Sequence, residues 1–228
     1  IHMNQIIQDT YMLCWAAKWA GEDGEVMSDA LYYHNLYKTD PTNDRLICES
    51  MKELLNEADV VVAHNGDKFD VKVLNARFLA HDMTPPRRYR TTDTLKIAKR
   101  RFKLTSNRLD DLGTLLQVGN KVETGGFKLW SDVLDGDIDA FYKMDYYCRG
   151  DVELLERVYN KLKPWDNRSP SATLVDSDGN VELKCNACGS DKIKKNGSYS
   201  TNSAVYQQYT CKCCGHTRKS PKAIARYG

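Results

Sequence analysis

Val60-Val61-Val62-Ala63-His64-Asn65-Gly66-Asp67-Lys68-Phe69-Asp70 is the stretch on which the fold turns. Three consecutive valines bounded by a turn signal read as a buried central strand, Asp59 to Ala63, open to solvent on neither face. Asn65-Gly66 then redirects the chain, and the apolar spacing from Asp70 to His81 is helical. A strand that passes through a glycine turn into a helix is the repeating unit of an open α/β sheet. An acid at that junction is held at the C-terminal edge of the strands, where such sheets build their sites. The plainer alternative is that Asp70 serves only the helix, whose N-terminal dipole favours a carboxylate.

The pattern extends in both directions. Thr10 to Trp19 is apolar and aromatic enough for a buried strand, Gly21-Glu22-Asp23-Gly24 reads as a hairpin turn, and Glu25 to Tyr33 returns as a second strand. Asp44 to Ala58 has helical spacing through Leu46, Met51, Leu54 and Leu55, capped by Thr42 or Asn43. Tyr89 to Thr92 reads as a short strand, and Asp93 to Leu162 is almost entirely helical in pattern. On the last helix Tyr147 and Asp151 stand four residues apart, which puts a phenol and a carboxylate on one face, one turn apart. Chance alone often produces that pair. His64 reads most simply as a strand-end histidine with a local hydrogen bond, and Asp93 either caps the next helix or lines the cleft.

Residues 1–165 are therefore expected to form one α/β domain. Residues 166–182, rich in Asp, Ser, Asn, Pro and Gly, read as a linker, and residues 183–228 as a small second module. In that module Cys185 and Cys188 are followed, after twenty-two residues, by Cys211 and Cys214, with Gly189 and Gly215 straight after each pair. Two C-x-x-C turns offer four thiolates, the donor set of a tetrahedral structural zinc ion, and the glycines let the backbone fold under the metal. A redox motif explains one pair but not two. Cys213 and His216 are competing ligands, but Cys211 with Cys214 mirrors the first pair. Cys14, Cys48 and Cys148 are isolated in apolar surroundings.

Charge is divided unevenly. The overall formal charge is +2, from 33 basic and 31 acidic residues. Residues 183–228 hold nine Lys and Arg against one acid, Asp191, for +8 before any thiolate is counted, so the rest of the chain is −6. A basic tail on an acidic body points to a polyanionic partner. Lys96, Lys99, Arg100, Arg101 and Lys103 form a further basic run, either tracking a phosphate backbone or simply solvated. Tyr199, Tyr206 and Tyr209, set among lysines, either stack on exposed bases or cover a module too small for a core. No apolar run approaches the roughly 20 residues of a membrane span, and no secretory signal pattern opens the chain. Thiols used as metal ligands or buried singly fit a reducing, cytoplasmic compartment.

The N-x-x-x-F-D segment from Asn65 to Asp70 and the Y-x-x-x-D segment from Tyr147 to Asp151, in that order, resemble the second and third motifs of the DEDD 3′-5′ exonucleases, tyrosine subclass. This is the proofreading group of the ribonuclease H-like superfamily, close to the exonuclease domain of family B DNA polymerases. Thr92-Asp93-Thr94-Leu95 and Asn107-Arg108-Leu109-Asp110-Asp111-Leu112-Gly113 are similar to family segments between those motifs. From about Asp9 to Trp165 the chain resembles small exonucleases of bacteriophages, several of which carry zinc ribbons.

The resemblance implies a ribonuclease H-like mixed sheet flanked by helices, followed by a zinc ribbon. It implies two Mg²⁺ or Mn²⁺ ions hydrolysing a phosphodiester, with one structural Zn²⁺ in the tail. Asp151 would hold the metal on the nucleophile side and Asp70 the metal on the leaving-group side, while Tyr147 would orient the attacking water. Asn65, Phe69, Asn107 and Arg108 would contact the strand. The expected partners are 3′ ends of single-stranded DNA and replication proteins, in the host cytoplasm for a phage-encoded chain.

The family's first motif, Asp-x-Glu on a central first strand, has no counterpart in residues 1–9, and Asp23-Gly24-Glu25 falls in the expected turn. The expectation is a chain truncated ahead of its first strand, consistent with a start at Ile1. The missing strand would leave two unpaired edges in mid-domain, and the chain as written would be inactive. The alternatives are a nuclease-dead nucleic-acid-binding protein, or a zinc-ribbon interaction module of a replication complex.

Overall fold

The computed structural model describes residues 10–21, 24–123, 125–166 and 184–227. In it β1 (Cys14–Ala17) and β2 (Met27–Ala30) pair antiparallel, Cys14 opposite Ala30 and Ala17 opposite Met27. This is the expected hairpin, with shorter strands. Ahead of β1 the Met12 N–H donates to Asp44 Oδ2 (2.8 Å), and after β2 Leu31–Tyr33 tighten into a 3-10 turn. Residues 1–9, and Glu22 and Asp23 of the expected turn, lie outside the described residues.

Helix α1 (Arg45–Glu57) buries Ile47, Cys48, Met51 and Leu55. Leu46, expected on the apolar face, is exposed instead, because the buried stripe starts one residue later. The cap expected at Thr42 or Asn43 is corrected: Asp44 is the N-cap and makes no side-chain cap bond, while Asn43 Oδ1, one residue earlier, accepts the Arg45 N–H (3.2 Å). Strand β3 (Val60–Ala63) and strand β4 (Arg90–Asp93) pair parallel, Val60 opposite Arg90 and Ala63 opposite Asp93, with α2 (Asp70–Ala80) as their crossover. All four residues of β3 are only half-buried. The expectation of a central strand open on neither face is corrected here: its side chains are half-buried, and among the described residues β3 is paired along one edge only.

The mixed sheet is thus present as two ribbons, β1-β2 and β3-β4. One apolar cluster serves both. Cys48, Met51 and Leu55 of α1 and Phe78 of α2 gather Trp15 from β1 and Val61 from β3. A polar clamp fixes the hairpin on α1: Trp15 Nε1 donates to Ile47 O (3.0 Å), and Ser50 Oγ donates to Asp29 Oδ2 (2.6 Å).

The remaining helices are α3 (Thr94–Arg101), α4 (Leu109–Leu115), α5 (Phe127–Leu134) and α6 (Ile138–Leu162). Leu129 and Val133 of α5 meet Phe141 and Met144 of α6 over Leu31 and Ile47 in a second cluster. Each such buried side chain contributes about 1.5–3 kcal/mol, and this packing holds α6 where its polar face forms the site described below.

The chain divides into two compact units, one drawn from residues 1–95 and 106–158, the other from 96–105 and 159–228. In the second unit β5 (Ile193–Ser200), β6 (Ala204–Cys211) and β7 (Thr217–Arg226) form an antiparallel sheet in the order β5-β6-β7. Also in that unit Arg100 Nη2 binds the buried Asp166 Oδ1 (2.5 Å), and Phe102 packs edge-on against Trp165. One member of the expected basic run is therefore a structural ion-pair partner. Apart from Asp166, the expected linker lies outside the described residues.

Candidate functional site

The turn between β3 and α2 is built around two unusual backbone positions. Asn65 adopts a left-handed conformation (φ 68°), and Gly66 is buried so tightly that a Cβ there would lie 2.4 Å from Ala63 Cβ. The Asn65 N–H donates to Asp93 Oδ1 (2.9 Å), and the same oxygen accepts the Leu95 N–H (3.0 Å). Asp93 therefore both caps α3 and ties the end of β4 to the turn after β3. The Lys68 and Phe69 N–H groups close onto Asn65 O, and the turn delivers Asp70 to the first position of α2.

On α6, Tyr147 and Asp151 stand one turn apart. A residue that carries no motif joins them. Lys121, from the loop between α4 and α5, places Nζ 2.5 Å from Asp151 Oδ2 and 2.9 Å from Tyr147 OH. Its backbone N–H is anchored on Asp110 Oδ1 (2.7 Å). Partial burial works against the Lys121 charge, but Asp151 and Tyr147 outweigh it and raise its pKa, so the ammonium persists at neutral pH. Burial, aided by Asp151, also raises the Tyr147 phenol above its ordinary value, against the pull of Lys121. It stays protonated and is no base at neutral pH. The second Asp151 oxygen, Oδ1, is buried with no hydrogen-bond partner among the described residues.

The two halves feel each other electrostatically. The Asp70 side chain reaches the surface, yet the partly dehydrated surroundings raise its carboxyl pKa, with the Asp93 carboxylate adding to the effect. His64 Nδ1 shares a hydrogen bond with Thr94 Oγ1 (2.8 Å), the local bond expected of a strand-end histidine. Its pKa is lowered by burial and further by Lys121, while Asn107 backbone, Asp93 and Asp70 oppose the shift. Asp70, Asp93, Asn107 and Lys121 thus all act on His64, and Lys121 in turn binds Tyr147 and Asp151. Asn107 Oδ1 is buried and without a partner among the described residues, Phe69 is 61 % exposed, and Arg108 is exposed.

A hard divalent ion wants carboxylate oxygens. The unpartnered Asp151 Oδ1 and the Asp70–Asp93 repulsion are the right chemistry for one. The number falls short: among the described residues no three ligand atoms of this site lie within 4.8 Å of one another, and Lys121 already sits on Asp151.

The tail cysteines behave differently. The Sγ atoms of Cys185, Cys188, Cys211 and Cys214 all lie within 4.8 Å of one another, at 3.5 Å for Cys185–Cys214 and 3.6 Å for Cys188–Cys211. A tetrahedron with metal–sulfur bonds of about 2.3 Å has sulfurs about 3.8 Å apart, so the four residues fit a zinc ion. Both knuckles close on left-handed glycines, Gly189 N–H onto Cys185 O (2.7 Å) and Gly215 N–H onto Cys211 O (3.1 Å). Burial opposes the Cys211 thiolate, but the N–H groups of Cys214 and Cys213 more than offset this and bring its pKa down to about 6. The two competing ligands are engaged elsewhere: Cys213 Sγ with Ser190 Oγ (3.2 Å), and His216 Nδ1 with Pro164 O (2.9 Å).

Asp44, Cys48 and His81 also bring three ligand atoms together. Here the place of a cation is filled by the protein itself. Asp44, fully buried, accepts Arg77 Nη2 and His81 Nε2 at Oδ1 (2.8 and 2.6 Å) and Arg77 Nε and the Met12 N–H at Oδ2 (both 2.8 Å). All its acceptor directions are satisfied, and the cluster is a structural clamp between α1 and α2.

No curated protein and no solved structure matches the chain. A family model described as RNase_H superfamily matches residues 19–163, which takes in β2, the β3 turn, and the Tyr147–Asp151 face but not β1. Over that span, which is more than half its length, the chain belongs to the RNase H superfamily.

Proposed function

We propose that the chain is a metal-dependent nuclease of the 3′-5′ exonuclease type acting on single-stranded DNA, in which Asp70, Tyr147 and Asp151 carry the reaction. The observation that supports this reading is the Lys121 bridge: its Nζ binds both Tyr147 OH and Asp151 Oδ2 on α6, and its charge also acts on His64 at the end of β3, beside Asp70 and Asp93. Bound Mg²⁺ or Mn²⁺ would supply the activated water and stabilise the leaving oxygen. Asp151, through its unpartnered Oδ1, and Asp70 would hold the ions. Tyr147, protonated and 2.9 Å from Lys121 Nζ, donates a hydrogen bond that orients water rather than taking its proton. Phe69 at the rim offers a stacking face to a terminal base, and Asn65, Asn107 and Arg108 line the approach to the sugar–phosphate chain.

In this reading the 228-residue chain by itself is inactive, because among the described residues Asp70, Asp93 and Asp151 do not bring three ligand atoms within 4.8 Å of one another and Lys121 already sits on Asp151. An Asp-x-Glu strand between β1 and β3 would complete the site. The tail, a zinc ribbon, holds the strand: Tyr199 and Tyr206 are paired across β5 and β6, with Lys219 Nζ 5.5 and 4.1 Å from their ring centroids. Tyr209 is on the other side, beside Cys185, Ile193 and Cys211, and serves the module's interior. The charge of the tail supports single strands as its partner, with replication proteins as proposed companions.

A 5′-labelled oligonucleotide tests the reading, given to this chain and to a version carrying an Asp-x-Glu strand ahead of Thr10, with Mn²⁺ and with chelator. Stepwise, metal-dependent shortening from the 3′ end by the second protein, lost in Asp151→Asn, is the expected result. Internal cutting, or shortening that ignores chelator, overturns it. The Lys121–Asp151 ion pair favours a second reading, a strand-binding protein without nuclease activity. That reading is correct if the completed protein binds single strands and leaves them intact.

A further inference from the structure

Cys14 and Cys148 are 134 residues apart in sequence, and the fold brings their sulfurs to 3.4 Å. Both thiols are free and only partly buried. Cys14 opens β1, and Cys148 follows Tyr147 directly on α6. The next residue on the helix, Arg149, reaches the other strand of the hairpin, Nε donating to Ser28 Oγ (2.9 Å). The turn of α6 that carries Tyr147 is therefore pinned to the hairpin at two adjacent points, one of them a pair of thiols. Nothing in the nuclease reading uses either sulfur.

We propose that Cys14 and Cys148 form a reversible disulfide, a covalent modification site that locks β1 to α6 beside Tyr147. The bond length of a disulfide is about 2.05 Å, so the sulfurs need to approach by only about 1.4 Å, within reach of side-chain rotation and a small shift of the helix turn. A low-molecular-weight disulfide such as oxidised glutathione is the oxidant. One of the two thiolates attacks it, forming a mixed disulfide and releasing the first glutathione thiolate. The other thiolate then attacks the protein sulfur, forms the Cys14–Cys148 bond and releases the second. Two protein thiols are oxidised, one small disulfide is reduced, and the two protons end on the two glutathione thiols. The thiol–thiol contact supports this: either sulfur can donate its proton to the other, so the first thiolate to form is hydrogen-bonded by a partner thiol that stays close. The tether closes a loop of well over a hundred residues, so the oxidised form should be the more heat-resistant one.

The test uses the full chain loaded with zinc, incubated with oxidised glutathione at millimolar concentration, then alkylated and digested. A Cys14–Cys148 cross-linked peptide that dithiothreitol removes is expected, with the intact mass lower by two hydrogens and Tm higher by several degrees. Cys14→Ser and Cys148→Ser should each abolish the cross-link and leave the remaining cysteine carrying one glutathione. In the unmutated chain, full alkylation of both cysteines after this treatment, or glutathione on either one without an internal link, overturns the proposal.

Discussion

Lys121 Nζ stands 2.5 Å from Asp151 Oδ2 and 2.9 Å from Tyr147 OH, closing the two α6 side chains into one hydrogen-bonded group. A monovalent cation thus sits on a carboxylate proposed to hold a divalent one. The two compete, because the Coulomb repulsion between an ammonium and a metal ion a few ångströms apart must be relieved before both fit.

Lys121→Met should therefore strengthen Mn²⁺ binding about tenfold, equivalent to about 1.4 kcal/mol. The gain is far below the bare Coulomb value because the half-exposed site is screened by water. Titration calorimetry on the two proteins measures it. Equal affinity in both would show that Asp151 is not a metal-binding group.

The Asp44 clamp has a definite pH signature. Burial opposes the Asp44 charge, but Arg77, His81 and the Met12 N–H outweigh it, and the net pKa lies below the ordinary carboxylate value. A depressed carboxylate adds stability that is fully present above its unfolded pKa of about 4 and is lost as pH falls through the lower folded value. Asp44→Asn should cost about 3 kcal/mol at pH 7, since Arg77 keeps its buried charge without a counter-charge. The gap between variant and parent should shrink below about pH 4. Urea unfolding at pH 7 and pH 3 checks both points, and a gap of the same size at the two pH values would contradict the clamp.

The parts of the fold that were legible in sequence are those set by local pattern. The valine run, the Asn-Gly turn and the 70–81 periodicity fix β3 and α2 within a residue or two, and C-x-x-C spacing leads straight to the four gathered sulfurs. What escaped depends on distance along the chain. Lys121 sits in a polar loop with no motif, and only the tertiary fold aims it at Asp151. Cys14 and Cys148 each read as solitary because the contact spans 134 residues. The valine run overstated burial for a related reason: apolar content signals that a strand is covered, not that both its edges are paired.

Gly113 is a test of packing between α4 and α6. An added Cβ would lie 2.3 Å from Gly119 O and 2.8 Å from Leu154 Cδ1. The leucine tip can yield, but the carbonyl belongs to the loop that leads to Lys121, and the backbone has little room. Gly113→Ala should destabilise by about 2 kcal/mol or more, and should disturb the Lys121–Tyr147 contact. A thermal melt reads the first effect, and NMR of the Tyr147 ring reads the second. An unchanged Tm would mean that the α4–α6 approach is looser than described.

The cysteine cluster gives the most direct test of the tail. Four sulfurs spaced for a tetrahedral ion would repel one another as thiolates without a cation at their centre, so the module's order is expected to depend on the metal. The freshly purified chain should carry one zinc, and a chelator should abolish the β5–β7 sheet while leaving the first unit folded, because the first unit's apolar clusters are independent of it. Replacing Cys185 or Cys214 with Ser should act as chelation does, since each removes one of four bonds. Cys213→Ser is the control: its sulfur is engaged with Ser190, outside the tetrahedron, so zinc content should not change. Elemental analysis and hydrogen exchange on the three variants decide the matter. Loss of zinc in Cys213→Ser, or full zinc in Cys185→Ser, would assign the ligand set differently.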